Sequence, residues 1–457
     1  MGGSVPEQEI NRLEGRITAP AASANSLFTA FGALVLLNAA DAWNVGPIPI
    51  EWLVRLGMIA VAMWHMLNGG LRFAPGSAWL LAFLSWGIFV TGCNVIVGNY
   101  STQMPSAATT SYNIYVLLRV INLLAFTAML QITYTLCRDG RASDVRRWII
   151  FAGAVVAVFS LYVYFAQTFG LPFPARTRLD TNGTMDHFTT FSGVLHRAIG
   201  PFREPSMLAE WLVLPLFLSF VEKNRWSQVA AVLIMAAVLL TASLTGISAA
   251  VAGLVIALLV TNPFRRANFK LIAQMAVVFV LALFLFQTFV VSNYADEISL
   301  FGVLSSRIVP LLQEGVSESN RNYVWEYVTK VPLPLFGEGF GNSNLAFARY
   351  LGAELPASFL SVYFNAAYST GWLGLALIIG FLSWPVRRLW TTAVRTADHR
   401  GVFLITAAYC GWLVMYTAHS EELAPLFAVA FALLVSIPSW REPERTSTVT
   451  RSISQAS

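Results

Sequence analysis

Apolar positions in this 457-residue chain fall in long blocks rather than in alternation with polar ones. Blocks of roughly 15 to 25 residues match what an α-helix needs to cross bilayer hydrocarbon, where backbone groups must be satisfied within the segment. About twelve are legible, near 26–40, 51–67, 77–97, 114–137, 148–170, 206–221, 226–241, 244–261, 270–292, 357–383, 401–417 and 422–438. They predict an all-α polytopic integral membrane protein. Its single transmembrane domain covers 26–438, between polar tails at 1–25 and 439–457. The runs 226–241 and 244–261 meet around Ser243 and Leu244 and read either as two passes or as one long tilted helix.

Charge tests this arrangement, because Lys and Arg concentrate on the cytoplasmic side of alternate loops. Arg12 and Arg16, Arg72, Arg138 to Arg147, Lys223 and Arg225, Arg265 to Lys270, Arg387 to Arg400, and Arg441 to Arg451 all fall on one side. That side is the expected cytoplasm, with both termini in it, and two passes at 226–261 keep the flanking basic groups together. The two longest loops, 171–205 and 293–356, then lie outside with Arg176, Arg178, Arg197, Arg203, Arg307, Arg321, Lys330 and Arg349. Long loops cross regardless of charge, so these arginines mark where binding or chemistry is expected. Arg55 and Arg119, near the outer ends of their spans, read as side chains that snorkel to the interface.

Composition excludes a soluble domain: 56% of residues are hydrophobic, 12% are charged and the mean hydropathy is +0.62. Cys93, Cys137 and Cys410 lie in or beside apolar runs without metal-ligand or disulfide spacing, and read as small core residues. Met1 to Ala24 is polar and has no short apolar core with a cleavage site, so the first span is the expected insertion signal. No internal repeat is visible, and nothing points to nucleic acid.

The most informative stretch is His196-Arg197-Ala198-Ile199-Gly200-Pro201-Phe202-Arg203-Glu204-Pro205-Ser206, directly before an apolar run. Desolvating such groups near hydrocarbon costs several kcal/mol unless they are satisfied, so this cluster reads as functional and suited to an anion. Further on come Arg321-Asn322-Tyr323-Val324-Trp325, then Pro334-Leu335-Phe336-Gly337-Glu338-Gly339-Phe340-Gly341-Asn342, then Tyr368-Ser369-Thr370-Gly371-Trp372-Leu373-Gly374-Leu375.

In order and spacing these three landmarks resemble those of bacterial O-antigen and exopolysaccharide polymerases and the related O-antigen ligases, over the C-terminal two thirds of the chain. The ligases typically carry a His-Asn pair at positions matching Leu360 and Ser361, and its lack here favours a polymerase. The resemblance implies transfer of a growing glycan from one polyprenyl-pyrophosphate to a sugar hydroxyl on another, at the outer face of the bacterial inner membrane. The implied partners are the lipid-linked oligosaccharide, membrane lipid and a chain-length regulator, with no cofactor or metal. Planar guanidinium forks match a diphosphate, so Arg197, Arg203 and Arg321 are the candidates for holding it. Glu204 reads either as the base for the acceptor hydroxyl or as a helix-start carboxylate ahead of Pro205. His196 and His419 are further candidates for substrate contact, His419 lying beside Glu421 and Glu422 at an outer turn. His187 and Asp186 are too isolated for a metal site. Trp211 and Trp325 read as interface anchors. Gly337, Gly339 and Gly341 lack the Lys and Ser/Thr of a phosphate-binding loop.

A ligase, a secondary transporter, a lipid-linked glycan flippase and a structural scaffold remain as alternatives. Spans nearly free of ionisable residues and the absence of visible half-to-half symmetry weigh against a transporter.

Overall fold

In a computed structural model, the described residues are 24–97, 100, 104–105, 110–178, 190–191, 195–261, 266–286, 322–392 and 399–437. They form, in chain order, α1 (Ala24–Leu37), α2 (Ile50–Leu67), α3 (Ser77–Val97), α4 (Tyr112–Leu136), α5 (Ala142–Phe169), α6 (Pro205–Ser219) and α7 (Arg225–Leu240). There follow α8 (Leu244–Val260), α9 (Arg266–Phe286), α10 (Asn322–Lys330), α11 (Asn342–Leu351), α12 (Val362–Thr392), α13 (His399–Met415) and α14 (Pro425–Ser436). A helix thus stands at each apolar run, and α10 and α11 are additions within the second long loop. Two small antiparallel hairpins, β1–β2 (Asn44–Val45, Ile48–Pro49) and β3–β4 (Thr190–Phe191, Leu195–His196), are the strands among the described residues.

The protein is a helical, membrane-embedded chain. Among the described residues, four segments are long and apolar enough to cross a bilayer, 50–67, 77–97, 112–169 and 362–389, and six further apolar helices are shorter. Helix length alone therefore does not establish twelve crossings. The shortfall has local causes: Pro205 sets the start of α6, and the polar turn ahead of Pro425 delays α14 until it has 12 residues. At 1.5 Å per residue that is about 18 Å, against hydrocarbon about 30 Å thick.

The chain reverses where the sequence requires it. Gly140, at φ 83, folds α4 back into α5 inside the 112–169 segment. Between α7 and α8 the turn passes through Ala242 at φ 46, and the Ser243 hydroxyl accepts from the Gly246 amide at 3.3 Å. Past this turn α8 runs back along α6 and α13, because a Cβ at Gly246 would meet Ala209 and one at Gly253 the Ala407 carbonyl. The 226–261 block is therefore two antiparallel helices.

Basic clusters from distant loops meet at one end of the bundle. Arg72 pairs with Asp139 at 3.1 Å, Arg146 with Glu222 at 3.6 Å, Arg141 bonds Asn25, and Arg400 donates to the Phe220 carbonyl at 2.6 Å. Helix α1 starts at this end and α14 finishes at it. At the bundle centre α4, α12, α13 and α14 interleave aromatic rings, with Phe381 stacked on Phe431 at 4.4 Å and Tyr409 on Phe427 at 4.8 Å.

The opposite end is built around a break in α12. Gly371, at φ 66 and ψ −166, occupies a region essentially closed to other residues, and its neighbours' carbonyls lose their helical partners. The glycine-rich stretch and α3 replace those partners: Glu338 N–H donates to the Tyr368 carbonyl at 2.9 Å, Gly339 N–H to the Ser369 carbonyl at 2.8 Å, and the Trp86 indole of α3 to the Thr370 carbonyl at 2.8 Å. The approach is so close that a Cβ on Gly371 would lie 2.2 Å from the Leu335 carbonyl oxygen. Beyond it, Tyr327, Phe347, Phe359 and Tyr368 form a second apolar core that fastens α10 and α11 to α12.

Gly371→Ala is expected to lower stability by at least about 1–3 kcal/mol, the cost of a forced backbone conformation. Gly92→Ala, whose added Cβ meets nothing within 4 Å, is expected to be neutral or mildly stabilising. Unfolding of both variants in detergent checks this, and equal behaviour of the two would refute the role of the break.

Candidate functional site

A cavity of about 610 Å³ opens at the end of the bundle away from the basic clusters, lined by residues of α2, α4, α6, α13 and the turn before α14. That volume lies in the range of about 300–1,000 Å³ typical of small-ligand sites. Trp52, Tyr115, Trp211, Tyr323 and Trp412 give it aromatic walls between charged groups.

The charges form an alternating ladder. Arg203 Nε donates to Asp41 Oδ2 at 3.1 Å, and Asp41 also receives Arg178. Arg178 continues to Glu51 at 2.8 Å, and Glu51 accepts Arg55 one helical turn along α2. Arg55 lies 3.5 Å from Glu422, and Arg119 grips Glu422 at 2.7 Å and Glu421 at 2.5 Å. Glu421 Oε2 then accepts from the Asn344 amide at 2.8 Å and the Phe359 backbone N–H at 3.2 Å. Four guanidiniums and four carboxylates alternate, so the ladder is neutral while its members are ionised.

Two carboxylates and one histidine of the cavity wall stand outside it. Glu204 occupies the N-cap position of α6 without capping the helix through its side chain, and Oε2 accepts from the Ser206 hydroxyl at 3.0 Å. Glu210, one and a half turns later and 8% exposed, has Oε2 at 3.3 Å from His419 Nε2. Its other oxygen, Oε1, is buried without a hydrogen-bond partner among the described residues.

The sequence-expected residues divide accordingly. Arg203, Glu204 and His419 line the cavity together. Arg197 is not among the lining residues: its Nε donates to the Thr241 carbonyl at 2.7 Å, tying the 197–204 segment to the α7–α8 turn. His196 pairs through its backbone with Thr190 in the β3–β4 hairpin. Arg321, with His187 and Asp186, lies outside the described residues. Arg55 and Arg119 are corrected: they are not snorkelling side chains but ion-paired rungs of the cavity wall. Trp211 is corrected likewise, being 5% exposed and part of the wall, whereas Trp325 is exposed and packs edge-on against Phe364. Leu360 lines the cavity in a left-handed backbone conformation, at φ 51.

Asp41, Glu51 and Glu210 are site residues that the sequence pattern does not single out, and Glu51 and Glu210 place charge inside the spans. Two signals were available. Glu51 and Arg55 sit at helical i,i+4 spacing, and Glu210 is a lone acid inside an apolar run.

Burial, reinforced by the Glu51 carboxylate, pushes the Asp41 carboxyl above the usual range, against the pull of Arg203 and Arg178. Burial alone would lower Arg203, but Asp41 and Glu51 outweigh it, so the guanidinium holds its proton more firmly than usual. Nearby, burial pushes the Glu338 carboxyl up to about 7, and Glu338 Oε2 lacks a partner among the described residues.

Removing one partner of a buried ion pair strands the other, so Arg119→Leu is expected to cost about 3–5 kcal/mol. Arg72→Leu, at a half-exposed pair on the far end, is expected to cost no more than about 1 kcal/mol. Denaturant unfolding of the two in detergent separates them, and equal losses would remove the ladder from any stabilising role. Glu338 has a second consequence. Its raised folded-state pKa gives stability that is fully present below the unfolded value of 4.5 and lost as pH rises through about 7. Glu338→Gln is therefore expected to match wild type near the bottom of that window and to exceed its stability above it. Melting curves across the window check this, and a gap that does not vary with pH would refute it.

No protein-family model matches this chain, and no curated protein matches it significantly.

Proposed function

We propose that this protein is a polysaccharide polymerase of the bacterial inner membrane. It transfers a polyprenyl-pyrophosphate-linked glycan onto a sugar hydroxyl of another lipid-linked repeat unit. In this reading all twelve apolar helices cross the membrane, both termini are cytoplasmic, and the cavity faces the periplasm. The observation that carries it is the meeting of Arg203 and Glu204, from the motif-bearing segment, with an arginine-rich, aromatic-walled cavity at one end of an apolar bundle.

The ion pair of Arg203 with Asp41 engages Nε, and a guanidinium has further donors on its two terminal nitrogens. Those donors suit a bidentate grip on diphosphate oxygens, in a site whose polar groups are already oriented. Arg119, Arg178 and Arg55 extend the positive rungs along the wall, so charge developing on a leaving pyrophosphate meets fixed donors rather than reorganising water. Carboxylates and aromatic faces suit sugar hydroxyls and the apolar faces of sugar rings. Arg321 is proposed as a second anchor for the diphosphate from its motif alone.

Two observations favour this reading over its alternatives. Leu360 brings no titratable group to the wall where the ligases carry a histidine. The ladder stays at one end of the bundle, among the described residues, and does not run along the helices as a transport path would.

The test is polymerisation by purified protein in vesicles supplied with lipid-pyrophosphate repeats, read as chain-length distribution on a gel. Arg203→Lys keeps the charge but loses the planar fork, worth about 1.5 to 3 kcal/mol per charge-assisted contact. The expected loss of rate is roughly ten- to a hundredfold with protein level unchanged. Unaltered polymer from Arg203→Lys would refute its role. Movement of the lipid-linked repeat between leaflets without glycosidic bond formation would replace the polymerase by a flippase.

A further inference from the structure

Outside the neutral ladder, the cavity wall holds one histidine and two carboxylates, and their geometry differs. Glu204 is engaged by the hydroxyl of Ser206 two residues away at the mouth of α6. Glu210 lies deeper on the same helix, 8% exposed, with one oxygen unpartnered and the other 3.3 Å from His419 Nε2. His419 is 8% exposed yet lines the cavity, on the turn that links α13 to α14. A lone buried carboxylate on an apolar helix is costly unless it is paired, and the imidazole is its partner here.

We propose that His419 is the proton acceptor for the incoming sugar hydroxyl and that Glu210 is the positioning residue that fixes its tautomer. This rests on the polymerase reading above. The 3.3 Å approach of Nε2 to Glu210 Oε2 favours the tautomer with its proton on Nε2, which leaves the lone pair on Nδ1, the nitrogen that takes the proton. The acceptor oxygen forms its bond to the anomeric carbon as its proton passes to Nδ1. The bond from that carbon to the pyrophosphate oxygen breaks, and the electron pair leaves on the diphosphate, whose charge the arginines meet. The proton then returns to water through the open cavity. Glu210 stabilises the imidazolium without taking the proton, because it faces the other nitrogen.

The remaining titratable neighbours bear on the pH dependence. Tyr416, in the turn that follows α13, lies close enough to Glu210 to feel its charge. Arg119 of α4 holds both carboxylates of the histidine's own turn, Glu421 and Glu422, which leaves Glu210 as the carboxylate directed at the imidazole. Arg203 and Glu204 face the same space.

The experiment measures initial polymerisation rates of reconstituted full-length protein with lipid-pyrophosphate repeats against pH, for wild type, His419→Gln, Glu210→Gln and Glu204→Gln. His419→Gln is expected to lower kcat about a hundredfold or more, with KM little changed, and to abolish the acidic limb of the profile. Glu210→Gln is expected to lower kcat, by less than His419→Gln and with KM little changed, since the imidazolium that forms loses its carboxylate. Glu204→Gln is expected to keep the limb in place. Wild-type polymer with an unaltered kcat and limb in His419→Gln overturns the dyad alone, as does loss of the limb in Glu204→Gln. If His419→Gln does not fold, Glu210→Gln decides, and an unaltered kcat in that variant overturns the proposal. No polymer from wild type overturns the polymerase reading and the dyad with it.

Discussion

The end of the molecule that carries the cavity depends on one constraint: four guanidiniums and four carboxylates buried among apolar helices must neutralise one another. An isolated ion moved from water into such surroundings costs several kcal/mol, and only mutual pairing with further hydrogen bonds recovers it. The pairs here join segments that the chain separates widely. Asp41 collects Arg178 and Arg203, Glu51 shares Arg178 with it, and Arg119 holds the turn before α14. Each segment is therefore placed by electrostatics at its end and by apolar packing along its length.

The same constraint reaches the second long loop. Glu421 is the last rung, and it receives Asn344 at the start of α11 and the backbone of Phe359. Asn342, Ser343 and Asn344 are fully buried, and Ser343 shares a 2.6 Å hydrogen bond with Ser369 beside the break in α12. A movement of α11 would thus disturb the ladder and the break together. The break itself requires the glycines at 337, 339 and 371, whose positive φ lets two stretches of backbone approach closely enough to exchange hydrogen bonds.

Much of the bundle was legible in the sequence because hydrophobic blocks are local signals. Each of the twelve blocks holds a helix, and the turn at Ser243 and the grouping of basic loops followed from local composition and charge alternation. What was not legible was pairing. The bond from Asp41 to Arg203 spans 162 positions and that from Arg119 to Glu422 spans 303, and no periodicity relates such residues. Read one at a time, Arg55 and Arg119 have snorkelling as their simplest account, and only a partner across the cavity changes it. Helix ends were less legible: at α14 the apolar run continues through the polar turn ahead of Pro425 and outlasts the helix, whereas α5 and α12 extend beyond their runs.

A neutral ladder also limits what the cavity can do. Its carboxylates are committed to arginines, so a proton acceptor has to come from outside it, and its arginines are held in place before any anion arrives. Fixed donors of this kind lose little freedom on binding and need no reorganisation as charge develops, which is the condition under which electrostatic stabilisation is largest. An anion that bonds the arginines' remaining donors need not break the pairs, whereas one that displaced a carboxylate would strand a buried charge. The wall therefore favours a ligand with several oxygens spread along it over a single compact anion. A diphosphate joined to a sugar has that distribution.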